Sequence, residues 1–337
     1  MKLRSLSYLS GLLLLLLLFF LDLIVGSANL SLSEVWQVLW GQAAEKSHEI
    51  IVLQSRLPKA ITAVLCGAAL SVSGLLMQTL FRNPLAGPYI LGISSGAGLG
   101  VALLVLGAGI LGFSMASPFG IIMGAILGAV GVLLILFLVS LRIQDVMSLL
   151  ILGIMIGSIA TALIGLMQYF SHDFQLKAFL IWTLGSLEGL SFQQLGIVGL
   201  TVLLLLLWAM VQSKPMNALL LGEEYAKSLG VSIHPLRLSM IVISGGLAGV
   251  ITAFCGPIGF VGIIVPHLAR LWFKTTNHLV LLPASILMGA SILLLSDILS
   301  HLPAEGISLP INSITSLIGI PIIIWIIFRK RSISAGF

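Results

Sequence analysis

The chain alternates long apolar runs with short polar breaks. The runs cover approximately residues 6–25, 57–81, 90–108, 117–140, 146–169, 193–213, 233–253, 256–272, 279–301 and 309–328. An α-helix needs about 20 apolar residues to cross a bilayer. Spanning segments must also satisfy their own backbone groups, and runs of this length are too long for barrel strands. The pattern predicts an all-α membrane protein, a polytopic bundle of about ten transmembrane helices. Residues 27–55 predict a short amphipathic helix, with Ser33 as its N-cap and Trp36 and Trp40 at the interface. Residues 172–190 hold an apolar stretch, Phe179 to Leu184, that is too short to span and predicts an interfacial or re-entrant helix. The N-terminus has the basic start, apolar run and small residues (Gly26-Ser27-Ala28) of a signal peptide, but the run is long enough to span and reads as an uncleaved first helix.

Composition agrees with a chain that lies mostly in lipid. Of 337 residues, 59% are hydrophobic and 8% charged, against about 25% charged in a soluble domain. Residues 1–337 read as a single transmembrane domain. Twelve of the sixteen Lys and Arg residues fall in segments on one side, among them Arg82, Arg142, Lys214, Arg237, Arg270, Lys330 and Arg331. Acidic residues such as Glu34, Glu188 and Glu305 fall on the other. The positive-inside rule then places both termini in the cytoplasm. The net charge of +5 is scattered over helix ends and forms no basic face, so nucleic acid is not an expected partner.

Glycines at Gly92/Gly96/Gly100, Gly120/Gly124/Gly128, Gly153/Gly157 and Gly245/Gly249 follow the small-xxx-small spacing that lets helix backbones approach closely in lipid. Gly67-Ala68-Ala69 through Pro84 weakly echoes Gly245-Gly246-Leu247 through Pro266, as an inverted repeat would. Cys66 and Cys255 each sit in an apolar run and read as small buried hydrophobes.

The longest polar segment on the basic side runs from Ser213 to Pro235. Its centre predicts a short helix that starts at Gly222, carries Glu223 and Glu224 in its first turn and stops at Gly230. Ala218, Leu219, Tyr225, Ala226 and Leu229 would form an exposed apolar face, and such a face on a loop calls for a partner. A nucleotide-binding P-loop needs a Gly-Lys pair, and the sequence has none. Any ATP would be bound by another polypeptide. Three ionisable residues, Asp22, His267 and Asp297, lie within the runs, all near helix ends, where capping or local hydrogen bonding is the expected role. This scarcity counts against the alternative of an ion-coupled secondary transporter. Arg56 and Lys59 stand one turn apart at the start of the second run. They are either snorkelling anchors or cations offered to a soluble partner.

The chain resembles the permease family of the ABC importers for iron-siderophores, haem and vitamin B12, from about Leu30 to Arg331. The resemblance rests on Arg56-Leu57-Pro58-Lys59, Gly67-Ala68-Ala69-Leu70, Gln78, Asn83-Pro84-Leu85-Ala86, Leu91 to Ala97, Pro215-Met216-Asn217, Leu221-Gly222-Glu223 with Leu229-Gly230, Gly256 to Gly262 and Val265-Pro266-His267. It implies ten helices per subunit in a bacterial inner membrane and a homodimer with the pathway along its interface. It further implies two cytoplasmic ATPases, a periplasmic or lipid-anchored substrate-binding protein, and no cofactor in this chain. The cargo it implies is a metal chelate, with ferric siderophore first and haem and cobalamin close behind.

By the same resemblance, Asn83, Pro84 and Leu85 match a cytoplasmic gate. Gly222, Glu223, Glu224, Ala226, Leu229 and Gly230 match the ATPase-coupling helix. Arg56, Lys59 and His301 match positions that dock the binding protein. Three departures stand out. Lys59 replaces the usual Arg and loses bidentate carboxylate geometry. His301, largely neutral at pH 7, replaces a basic residue. The hydroxyl expected at a second gate falls near Val146 and Met147.

Overall fold

The computed structural model describes residues 2–26, 28, 30–42, 45–107, 117–143, 145–302 and 308–329. Of the positions used above, Ser27, Glu305, Lys330 and Arg331 lie outside the described residues. Helix α1 spans Lys2–Ile24 and α2 spans Leu32–Leu39. A short α3, Lys46–Glu49, runs through a π-helical stretch, Ile50–Arg56, directly into α4, Leu57–Leu80. A 3-10 turn at Pro88–Leu91 precedes α5, Ile93–Val105. Then follow α6 Pro118–Ser140, α7 Val146–Phe170, α8 Asp173–Thr183 and α9 Phe192–Val211. The short pair α10 Ser213–Leu220 and α11 Glu223–Ser228 leads to α12 Ile233–Cys255, α13 Val261–Phe273, α14 His278–Ser300 and α15 Ile311–Arg329.

The bundle is built around α4, which packs on α14, α12 and α13 and is buried along nearly its whole length. Small residues make this possible. A Cβ on Gly67 would lie 2.2 Å from the Gly289 carbonyl oxygen, so α4 and α14 touch backbone to backbone there. The predicted glycine spacing does the same work between α5 and α6. A Cβ on Gly96 would lie 2.7 Å from the Gly128 carbonyl. By contrast, α7 and α9 leave rows of Leu and Ile exposed, the surface a helix presents to lipid or to another subunit.

All ten apolar runs are helical, but they are not equivalent. Among the described residues, seven helices are long and apolar enough to cross a membrane. The runs at 90–108, 256–272 and 309–328 give shorter apolar helices. Two of these begin on broken backbone. Gly92 takes φ +74 before α5, while Gly256 takes φ +73 and Phe260 φ +67 before α13. A helix of 13 residues is only about 20 Å long, short of the ~30 Å hydrocarbon core. Irregular backbone at such depth is tolerated where it is buried in protein. Here the two breaks cover each other, as the Ile258 N–H donates to the Tyr89 hydroxyl at 3.1 Å.

Two local expectations change. Helix α2 is capped by Ser31, not Ser33. Glu34, three residues on, closes a capping box with Ser31, and those hydrogen bonds hold the Glu34 carboxyl below its usual range. The second half of residues 27–55 does not belong to that short helix but extends the second span, continuous from Lys46. Helix α8 is short and follows the predicted non-spanning stretch.

Candidate translocation and coupling sites

Helix α4 stops at Phe81, and Arg82 turns the chain at φ +46. Asn83 then folds the loop. Its side-chain oxygen accepts from Leu85 N–H at 2.9 Å, and its carbonyl accepts from Ala86 N–H at 3.1 Å. Asn83 and Pro84 are half-buried and Leu85 is exposed. Helix α13 clamps this loop through one face. The Ile263 carbonyl accepts from Gln78 Nε2 at 3.0 Å, His267 Nε2 donates to the Pro84 carbonyl at 2.8 Å, and Arg270 donates to Gln78 Oε1 at 2.7 Å. Positions 263, 267 and 270 are spaced one helical turn apart, so a single face reaches both Gln78 and Pro84. His267 therefore ties two spans together rather than capping its own. The two segments of the weak echo, ending at Pro84 and Pro266, meet at this contact.

Beside the clamp lies the 213–235 segment. Gly222, at φ +112, and Gly230, at φ +82, bound α11 as the sequence predicts. Glu223 pairs with Arg237 of α12, which fixes the start of α11 to a spanning helix. The exposed Glu224–Lys227 pair, at 2.7 Å, adds little. The apolar face differs from the predicted one. Leu219 and Ala226 are buried and Ala218 is half-buried, because they seat α10 and α11 on the bundle. The face left open is Leu220, Leu221, Tyr225 and Leu229.

The gate loop and this segment are joined. Arg82, next to Asn83, donates to the Leu219 carbonyl at 3.3 Å. Asn217 accepts from His278 N–H at 2.8 Å and donates to Asn277 at 2.8 Å, tying α10 to the start of α14. Between them lies a cavity of about 440 Å³, lined by Gln78, Thr79, Arg82, Arg270 and His278 among others. Sequence reasoning did not single out Arg82, Arg270 or the Glu223–Arg237 pair. For the arginines the signal was present, since Arg82, Arg237 and Arg270 each stand near the edge of an apolar run.

At the far end of α4, about 36 Å away by helix rise, the structure departs from expectation. Arg56 and Lys59 are each only 4% exposed, so neither offers a free cation to a soluble partner. Arg56 donates to the carbonyls of Leu23 at 2.8 Å, Ile24 at 2.7 Å and Ala28, and so caps the C-terminus of α1. Lys59 Nζ meets Asp297 Oδ2 at 2.7 Å and donates to His301 Nε2 at 2.8 Å. Burial, then the Lys59 ammonium, pushes the His301 imidazole below its ordinary range, in keeping with its role as acceptor. Asp22 is fully buried and Asp297 almost so, with Asp297 paired to Lys59. Cys66 and Cys255 are buried as predicted, with sulfurs 3.4 Å apart. At Val146 and Met147, the position expected for a second gate, Asp145 caps α7. Its carboxylate accepts from Ser148 N–H at 2.8 Å and is held below its usual range, chiefly by the Ser148 hydroxyl.

The sequence profile of the FecCD transport family, described by that name, matches residues 14–329. The chain is 38% identical over 330 residues to the "Vitamin B12 import system permease protein BtuC" of Klebsiella pneumoniae, covering 97% of this chain and 95% of that one. It is 38% identical over 301 residues to the protein of the same name from Escherichia coli O127:H6, covering 89% and 90%. A solved structure described as "an inward-facing conformation of a putative metal-chelate type ABC transporter" superposes with a TM-score of 0.83 at 31% identity, covering 96% of this chain and 99% of that one. A match across this length, with helices at every predicted span, leaves one assignment: the chain belongs to the FecCD transport family.

Proposed function

We propose that this chain is the membrane permease subunit of an ABC importer for a metal chelate, and that cobalamin is its foremost cargo. The observation that carries this reading is the near full-length similarity to vitamin B12 permeases, at 38% identity over 97% of the chain. Ferric siderophore, which stood first on sequence motifs alone, ranks second for that reason, with haem behind it. The subunit works as a homodimer in the bacterial cytoplasmic membrane, with both termini and the 213–235 segment facing the cytoplasm. A substrate-binding protein delivers the chelate outside, and two ATPase subunits bind and hydrolyse ATP inside.

The residues give this reading a mechanism. Leu220, Leu221, Tyr225 and Leu229 form the surface on which an ATPase subunit seats. Glu223–Arg237 and the two positive-φ glycines keep that surface in one shape. Displacing α10 and α11 pulls on the Arg82–Leu219 bond and so on the Asn83-Pro84-Leu85 loop, which α13 otherwise holds through Gln78 and His267. The test is uptake into proteoliposomes that hold the dimer with its ATPase and binding protein. Cobalamin should accumulate only with ATP inside, and faster than a ferric siderophore or haem. Uptake driven by an ion gradient without the ATPase would refute the assignment. ATP-driven uptake of siderophore but not cobalamin would overturn the cargo alone.

A further inference from the structure

The cavity between the gate loop and α10 gathers positive charge without a counter-charge. It holds about 440 Å³, and the described residues that line it include Arg82 and Arg270 but no Asp or Glu. The acids of the adjoining α11 are spent elsewhere, Glu223 on Arg237 and Glu224 on Lys227. The other cations on the surrounding elements, Lys214 of α10 and Lys274 just past α13, are exposed and of the same sign. His278 is engaged by the fold, since its Nδ1 donates to Asn217 at 2.9 Å and its Nε2 meets the Thr79 hydroxyl at 2.8 Å.

The two guanidiniums are set for an anion. Arg270 is held by Gln78, which accepts from it at 2.7 Å and is itself fully buried and anchored on the Ile263 carbonyl at 3.0 Å. Arg82 is exposed and donates to the Leu219 carbonyl at 3.3 Å, so one donor is fixed and the other lies open to an incoming ligand. A guanidinium fork matches the oxygens of a phosphate group. Grouping two cations away from bulk water is costly until an anion joins them. The volume suits more than a bare ion, since it falls in the range of small-molecule sites. Part of the wall is apolar, with Leu219 and Leu281 buried in it. Helix α4 ends at Leu80, α13 ends at Phe273 and α14 starts at His278, so three apolar helices end at the cavity. That is the level of lipid headgroups, where basic pockets between spans take anionic lipids.

We propose that this cavity is a binding site for a phosphate group, held between Arg82 and Arg270, carried by an anionic phospholipid headgroup or supplied as free phosphate. The bound group bridges the gate loop, which carries Arg82, to α13, which carries Arg270. Its binding is independent of the importer reading, because it needs this chain alone.

The test is native mass spectrometry of the full-length protein in detergent, titrated with phosphatidylglycerol, phosphatidylcholine or inorganic phosphate. Melting temperature is followed in parallel. Wild type should retain phosphatidylglycerol in preference to phosphatidylcholine and melt higher with it. Arg82→Gln should retain about tenfold less. Arg142→Gln, which removes an exposed arginine of another loop, should retain as much as wild type. Should Arg82→Gln fail to fold, Arg82→Lys decides, since it keeps the charge and loses the fork, and retention should still fall. Inorganic phosphate that raises the melting temperature of wild type but not of Arg82→Gln, without selective lipid retention, would support the site with free phosphate as its source. Absence of both effects in wild type, or equal losses in Arg82→Gln and Arg142→Gln, would overturn the proposal.

Discussion

The two ends of α4 treat charge in opposite ways. At the far end, Arg56, Lys59, Asp22 and Asp297 are sealed inside the bundle, where Lys59 pairs with Asp297 of α14 and Arg56 holds the end of α1. At the loop end, Arg82 and Arg237 reach short segments, α10 and α11, that stand outside the spans and show an open apolar face. Charge buried between spanning helices has no second arrangement at low cost, because separating the partners strands an ion away from water. Charge that links a span to a surface segment can be remade in a new position. The far end is built to hold and the loop end to move.

The largest effect should come from breaking the sealed end. Lys59→Met leaves the Asp297 carboxylate buried without its cation, at a cost of about 3–5 kcal/mol. Thermal melting in detergent should show most of the folded protein lost, whereas a melting temperature equal to wild type would mean the charge is not buried. Next in size is Gly67→Val, which drives a side chain into the Gly289 carbonyl and forces α4 from α14. Yield and melting temperature should both drop, and an unchanged monodisperse protein would show that the backbones do not touch. Smaller still is Arg82→Ala, which removes one bond of about 1 kcal/mol between gate loop and α10. The fold should survive while substrate-stimulated ATP hydrolysis declines several-fold, and full stimulation would free the gate loop from that link. At the bottom, Lys227→Ala removes an exposed pair and should change neither melting nor hydrolysis, so a clear loss of either would give that pair a role the geometry does not.

The loop end was largely legible in the sequence, and the far end was not. Gly222 and Gly230 announce their turns by residue type, and Asn83-Pro84 announces a break, since these are local properties of the chain. The spans were legible because length and apolarity decide them. What failed depended on distant parts of the chain meeting. Arg56 and Lys59 look like surface cations in isolation. Leu23, Ala28 and His301, which meet them, lie between 28 and 242 residues away. Leu219 and Ala226 share a face with Leu229 on paper, but the bundle takes the small and well-packed members and leaves the others open. The broken starts of α5 and α13 are hidden for a related reason, since hydropathy does not report where backbone irregularity is covered by a neighbour.

The most direct test of the central claim is a mild-detergent pull-down of the full-length chain from its native membrane, wild type beside Leu229→Glu, with mass spectrometry of the bound proteins. Leu229 is 57% exposed, so the variant should insert and melt as the wild type does. The account predicts that a P-loop ATPase accompanies the wild type and is missing from the variant. Equal recovery of that ATPase with both, or its absence from the wild type under conditions that preserve other membrane complexes, would contradict it.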